Sequence, residues 1–159
     1  METTGRISAA DVILDLDADG KRDLLQTLAA DAARKLGRPE REVIGALQER
    51  ERLGSTALGR GVALPHARLS GAAAPVALFA RLHRPIDYEA RDEEPVDLVV
   101  LVLWPEASPE GFLPFLSEIC RALREPQVLR RLRAAGSAEE AVALLNRGGQ
   151  PPGDARGRE

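Results

Sequence analysis

The chain holds a single cysteine, Cys120, in 159 residues, so no internal disulfide and no thiolate-rich metal site can be built from it. Aromatic residues make up only 3% of the sequence, which leaves leucine, valine, alanine and isoleucine to fill a core. Long apolar runs are missing: the longest, Leu98 to Trp104, falls far short of the ~20 residues that span a bilayer. The opening METTGRISAADV has no apolar signal segment either. A reduced, cytoplasmic protein without membrane insertion is the simplest expectation. Lysine is nearly absent, at Lys21 and Lys35 only, and the arginines form no basic run. With a net charge of -3, nucleic acid is not an expected partner.

Several chemistries drop out for want of their residues. No GxSxG elbow is present, and Ser55 in GST lacks the strand-to-helix context such a nucleophile needs. The glycines of GSTALGRG are not followed by the GK[ST] ending of a phosphate-cradling loop. Two histidines and one cysteine are too few and too scattered for a zinc site. No cofactor or metal is expected.

What is present, 44% apolar and 30% charged residues, describes an ordinary globular domain with one substantial core. A first short strand is expected over Asp11 to Leu14, followed by the turn-like Asp15 to Gly20. From Lys21 to Leu36 the residues Leu24, Leu25, Leu28, Ala32 and Leu36 recur at helical steps, and Gly37 ends that helix. A second helix opens at Pro39 and carries Val43, Ile44, Leu47 and Leu53. Gly54 to Leu69 reads as a shaped loop and strand. Pro75 to Leu82 reads as a strand. Pro95 to Trp104 is the clearest strand, a nearly continuous apolar run of the kind covered on both faces.

A helix over Gly111 to Arg124 follows, with Phe112, Leu116, Ile119, Cys120 and Leu123 on one face and Pro114 confined to its first turn. Cys120 in that stripe reads as core packing rather than a reactive thiol. Short helices over Gln127 to Ala134 and Ser137 to Leu145 complete the domain, the latter opened by the capping pair Ser137 and Glu140. Strands between helices predict an α/β single domain, a mixed β-sheet flanked by helices on both faces. Residues 1–146 form that domain, and 147–159, rich in Gly, Pro and charge, are expected to be disordered.

The stretch GVALPHARL, Gly61 to Leu69, places His66 where an apolar run is broken by Pro65. A neutral imidazole is a good nucleophile toward phosphorus, and Arg50, Arg52, Arg60 and Arg68 stand near it in sequence. Phosphoryl transfer needs little more than in-line approach and positive charge or backbone donors around the oxygens. A solvated histidine at a strand end fits the same residues, so on spacing alone both accounts stand. His83 in RLHRP has no glycine-shaped loop and reads as a solvated turn residue.

The run RERLGSTALGRGVALPHARL, Arg50 to Leu69, resembles the signature R-E-x-x-G-S-T-G-x-G-x-G-[IV]-A-[IL]-P-H of phosphotransferase-system enzyme IIA (EIIA type 2) domains, the fructose, mannitol and nitrogen-regulatory class. RPIDYEARDEEPVDLVVLVLWP is similar to that family's P-I-x-[FW]-x-A-x-D-x-x-P-V-D-L segment, and Val128 to Leu145 resembles the C-terminal region of the nitrogen-regulatory branch. The resemblance covers about Ser8 to Leu145. It implies a mixed sheet flanked by helices and a phosphorelay role. His66 would accept a phosphoryl group from an HPr-like phosphocarrier protein (HPr or its nitrogen-branch paralogue, NPr). Arg50 would steady the charge, and Ser55 and Thr56 would shape the pocket.

Nitrogen-branch members regulate target proteins, with kinases and transporters as candidate classes, whereas sugar-transport members pass the phosphoryl group to a IIB domain. The stand-alone length favours the nitrogen-regulatory branch. The family also places a second histidine beside the acceptor, and counting from Pro105 that position is Phe112, with Pro114 two residues on. Ala57 stands where glycine is usual. The resemblance therefore implies either a relay that works without the second imidazole or a regulatory binding module that has lost phosphotransfer.

Overall fold

A strand that is apolar on both faces needs cover on both faces, and the order of the elements supplies it. The computed structural model describes residues 7–147. Of the segment expected to be disordered, 148–159 lies outside the described residues, and Arg147 is the last residue of a helix. After a single 3₁₀ turn at Ala9–Asp11 come β1 (Val12–Leu16), α1 (Lys21–Leu36) and α2 (Glu40–Arg52). Then follow β2 (Ala57–Gly59), β3 (Val62–Ala63), β4 (His66–Leu69), β5 (Val76–Ile86) and β6 (Val96–Pro105). Helices α3 (Phe112–Leu123), α4 (Pro126–Ala134) and α5 (Ala138–Arg147) close the domain.

The strands form one sheet in the order β1-β5-β6-β3-β2, with β4 also paired to β6. Pairing is mixed: β1 runs parallel to β5, β5 antiparallel to β6, β6 parallel to β3 and β4, and β2 antiparallel to β3. Central β6 is buried from Leu98 through Trp104. Leu24, Leu28, Val43 and Leu47 of α1 and α2 pack on one face, against Leu78, Val99 and Leu101. On the other face Ile119, Leu123, Leu129 and Leu145 of the last three helices meet Phe79, Val100 and Val102. Each such side chain contributes about 1.5–3 kcal/mol of apolar burial, which explains why so aromatic-poor a chain holds a two-sided core.

Local chemistry sets the boundaries. Gly37 takes the left-handed φ of 67° and its N–H closes on Ala33, ending α1 where expected. The β2–β3 hairpin turns on Arg60 and Gly61, with φ of 59° and 81°, the double positive pair of a two-residue hairpin. Three expectations are corrected. Strand β1 runs on through Asp15 instead of turning there. Asp15 adopts φ 59° and the register to β5 slips between Ile13 and Leu16, the mark of a bulge.

Strand β5 likewise passes Leu82 and continues to Ile86, so His83 is exposed on a strand and not in a turn. Pro85, which has no N–H to give, falls where the ladder to β6 is irregular, between Arg81 and Ile86. Leu53 is not part of the apolar face of α2: the helix ends at Arg52, and Leu53 is 82% exposed. In α3 the buried face is Phe112, Phe115, Ile119, Ala122 and Leu123, while Leu116 and Cys120 are half-buried against that core. Burial raises the pKa of the Cys120 thiol, consistent with a packing role.

Candidate functional site

His66 opens β4, directly after the Leu64–Pro65 interruption between two short strands that share β6 as neighbour. Its Nδ1 lies 2.7 Å from the carbonyl oxygen of Leu64. A carbonyl can only accept, so Nδ1 carries the proton and Nε2 keeps its lone pair. Burial pushes the imidazole pKa below its ordinary 6.5, and the charge of Arg50 pushes the same way. The bond to Leu64 and the charge of Glu51 oppose that shift. The ring is therefore neutral at pH 7.

Of the four arginines near His66 in sequence, Arg50 is the one whose charge acts on it. It sits in the last turn of α2 and its Nη1 donates to the Gly54 carbonyl at 3.0 Å, tying the glycine loop to the helix. Arg52 pairs with Glu49, Arg60 donates to the Arg124 carbonyl, and Arg68 is exposed on β4. Ser55 accepts the Ala57 N–H at 3.2 Å through its Oγ, shaping the turn into β2. Thr56 is buried, 4% exposed, and its carbonyl accepts the Leu64 N–H at 2.9 Å.

Phe112 stands on the other side. Its ring centroid is 6.2 Å from that of His66, tilted 59°, and it stacks on Trp104 at 5.6 Å. Trp104 is itself held by its Nε1–H to the Glu110 carbonyl at 3.2 Å and lies 5.8 Å from the ring of Phe115. Since Phe112 is the first residue of α3, the positive end of that helix lies at the site, and no acidic residue occupies its first turn. Arg50 thus acts on the imidazole by its charge, Thr56 through the Leu64 backbone and Phe112 as a neighbouring ring, while Ser55 shapes the turn beside Thr56. His83 is elsewhere, exposed on β5.

Three residues absent from the expected site lie just behind it. The Glu51 carboxylate accepts from the Thr56 N–H at 3.2 Å, from the Thr56 hydroxyl, from the Tyr88 hydroxyl at 3.0 Å and from Lys21 at 2.9 Å. Lys21 also lies 4.6 Å above the Tyr88 ring. Burial drives the Tyr88 pKa far upward, so its hydroxyl stays protonated and donating. One signal was available: Glu51 follows Arg50 inside the R-E-x-x-G motif, and Tyr88 falls where the separate P-I-x-[FW] segment carries Phe or Trp. Among the described residues no group of three or more His, Cys, Asp or Glu is placed to hold a metal ion. No described helix is long and apolar enough to cross a membrane.

Comparison with known proteins bears on the family and the fold. Residues 7–148 match the family described as "Phosphoenolpyruvate-dependent sugar phosphotransferase system, EIIA 2". The nitrogen regulatory protein of Bradyrhizobium diazoefficiens is 41% identical over 91% of this chain and 95% of its own length. That of Pseudomonas aeruginosa is 38% identical over 84% and 87%. Among solved structures, nitrogen regulatory protein IIA-Ntr of Neisseria meningitidis superposes with a TM-score of 0.84 at 31% identity, covering 87% of this chain and 94% of that one. IIA mannitol of Escherichia coli shares the fold, with a TM-score of 0.73 at 22% identity over 88% and 99%. On the match across 7–148 and these relatives, the chain belongs to the EIIA 2 family of the phosphoenolpyruvate-dependent sugar phosphotransferase system.

Proposed function

We propose that this domain is a phosphorelay protein of the nitrogen-regulatory type. His66 takes a phosphoryl group from a phosphorylated HPr-like carrier, and the protein regulates its targets according to phosphorylation state. The observation that carries this reading is the 2.7 Å bond from His66 Nδ1–H to Leu64 O, which leaves Nε2 as the nucleophile. In the step, the Nε2 lone pair forms the new N–P bond as the carrier's P–N bond breaks, and that electron pair returns to the carrier's ring. The imidazole of His66 then carries positive charge, which its Nδ1–H shares with the Leu64 carbonyl. Arg50 and the positive end of α3 face the incoming oxygens, while Ser55 and Thr56 shape the loop that borders them.

Docking of a protein donor is supported by where apolar surface is left uncovered. The large apolar side chains exposed among the described residues are Leu53, Leu58 and Leu113. All three lie on segments that carry the site: the end of α2, the strand after the Ser55–Thr56 turn, and the first turn of α3. The nitrogen-regulatory branch is favoured by the relatives of that name. A sugar-transport role as an EIIA component has support in a fructose-specific EIIA component of Haloferax volcanii, 35% identical over 80% of this chain.

A second reading, a regulatory binding module without phosphotransfer, rests on Phe112. Its ring is committed to the stack on Trp104 and gives the phosphoryl oxygens no donor. Intact mass spectrometry decides between the two, after incubation with phosphoenolpyruvate, enzyme I and a carrier that is itself shown to be labelled. One phosphoryl adduct on the wild type, absent from His66→Ala, is the expected result. An unlabelled wild type refutes the relay and leaves the binding module; an adduct that survives His66→Ala moves the acceptor elsewhere.

A further inference from the structure

A continuous line of hydrogen bonds leads from the α1 side of the molecule to the imidazole. Lys21, Tyr88 and Thr56 all point donors at Glu51, whose side chain is only 8% exposed. The Thr56 carbonyl holds the Leu64 N–H at 2.9 Å, and the Leu64 carbonyl holds His66 Nδ1 at 2.7 Å. A buried carboxylate with four donors is a fixed point, because each donor would be left unpaired if the acceptor moved. Ion pairing to Lys21 keeps the charge tolerable in that setting. The phosphoryl transfer itself does not use Lys21, Glu51 or Tyr88.

We propose that Glu51 is the positioning residue of the site: its carboxylate fixes Thr56, and through Thr56 and Leu64 it holds His66 in the tautomer that leaves Nε2 free. The rate consequence rests on His66 being the phosphoacceptor; the tautomer consequence does not. Glutamine has the right shape and the wrong chemistry for the role. Its amide offers one acceptor and turns an NH2 toward a Thr56 or Lys21 donor, so the Thr56 segment loses its anchor. The charge of Glu51 also raises the His66 pKa against Arg50, so its removal shifts that titration downward.

The test is nitrogen-15 NMR of labelled imidazoles at about pH 8, where the ring is neutral, with exposed His83 as the internal reference. In folded Glu51→Gln the Nδ1–H tautomer of His66 gives way to a mixture. The transfer rate at saturating carrier falls about ten- to hundredfold while half-saturation is unchanged, because a loosened acceptor is misplaced rather than undocked. Glu51→Asp, which keeps the charge with a shorter reach, recovers part of both. If Glu51→Gln does not fold, Thr56→Val removes the hydroxyl link alone and shows the same tautomer shift, to a smaller extent. A wild-type His66 spectrum in these variants overturns the proposal, whether or not the rate falls. An unlabelled wild type together with a shifted tautomer in Glu51→Gln refutes the relay and sustains the positioning role.

Discussion

Phe112→His asks what the aromatic neighbour of His66 costs the chemistry. At 6.2 Å between ring centroids, a second imidazole there brings a donor within reach of a phosphoryl group on the first. One oriented donor at a developing charge is worth up to ~10²-fold in rate, and about tenfold is expected at this half-buried imidazole. The substitution also has a structural price. Phe112 is 8% exposed, so replacing phenyl by imidazole loses about 1–2 kcal/mol of burial, and the stack on Trp104 about 1 kcal/mol more. A loss of about 2–3 kcal/mol lowers the melting temperature of a domain this size by about 5–10 °C, measured by calorimetry. The rate and the lifetime of the phospho-form are followed by intact mass in a time course with labelled carrier. A folded Phe112→His protein with wild-type rate and lifetime refutes the argument that position 112 governs charge at the site.

Three further outcomes follow from the same structure. Because burial depresses the folded-state pKa of His66 below the unfolded value near 6.5, its stabilising effect is complete above about pH 6.5. It is lost as pH falls through the lower folded value. The transfer rate should follow the same curve, and Arg50→Gln should raise that pKa while slowing transfer up to ~10²-fold, checked by NMR titration and by rate against pH. In the core, Leu101→Ala on fully buried β6 should cost about 2–5 kcal/mol by denaturant unfolding and leave the His66 tautomer unchanged.

Much of this was legible because local chemistry and tertiary structure agree. The period of Leu24, Leu25 and Leu28, closed by Gly37, specifies α1, and the unbroken apolar run specifies β6 as the strand covered on both faces. His66 and Arg50 were legible through a motif, not through spacing; Arg52, Arg60 and Arg68 are nearer in sequence yet engage other groups or solvent. The Glu51 network was hidden because Lys21, Glu51 and Tyr88 come from an α1 terminus, an α2 terminus and a loop. Only the packing of α1 and α2 on the sheet joins them. Strand β5 ran past its expected end because a proline ends a strand only where its missing donor would be needed, and at Pro85 the ladder is already irregular. The period of α2 did not reveal Leu53 as exposed, since periodicity marks a face and not the residue at which a helix stops.

The register between β3 and β6 pairs Val62 with Leu98, and that between β4 and β6 pairs His66 with Val102. The offset is the same on both sides of the break, so β3 and β4 lie on one line, interrupted at a proline that has no N–H for its neighbour. The Pro65 carbonyl still takes the Val102 N–H at 3.0 Å. His66 is thus borne by a segment laced to the most buried strand of the domain. On the relay reading, a phosphoryl group arriving there finds a backbone with no slack to take up. What a partner senses is a new negative charge on an unchanged surface, and a regulator of this design discriminates its two states by electrostatics, not by shape.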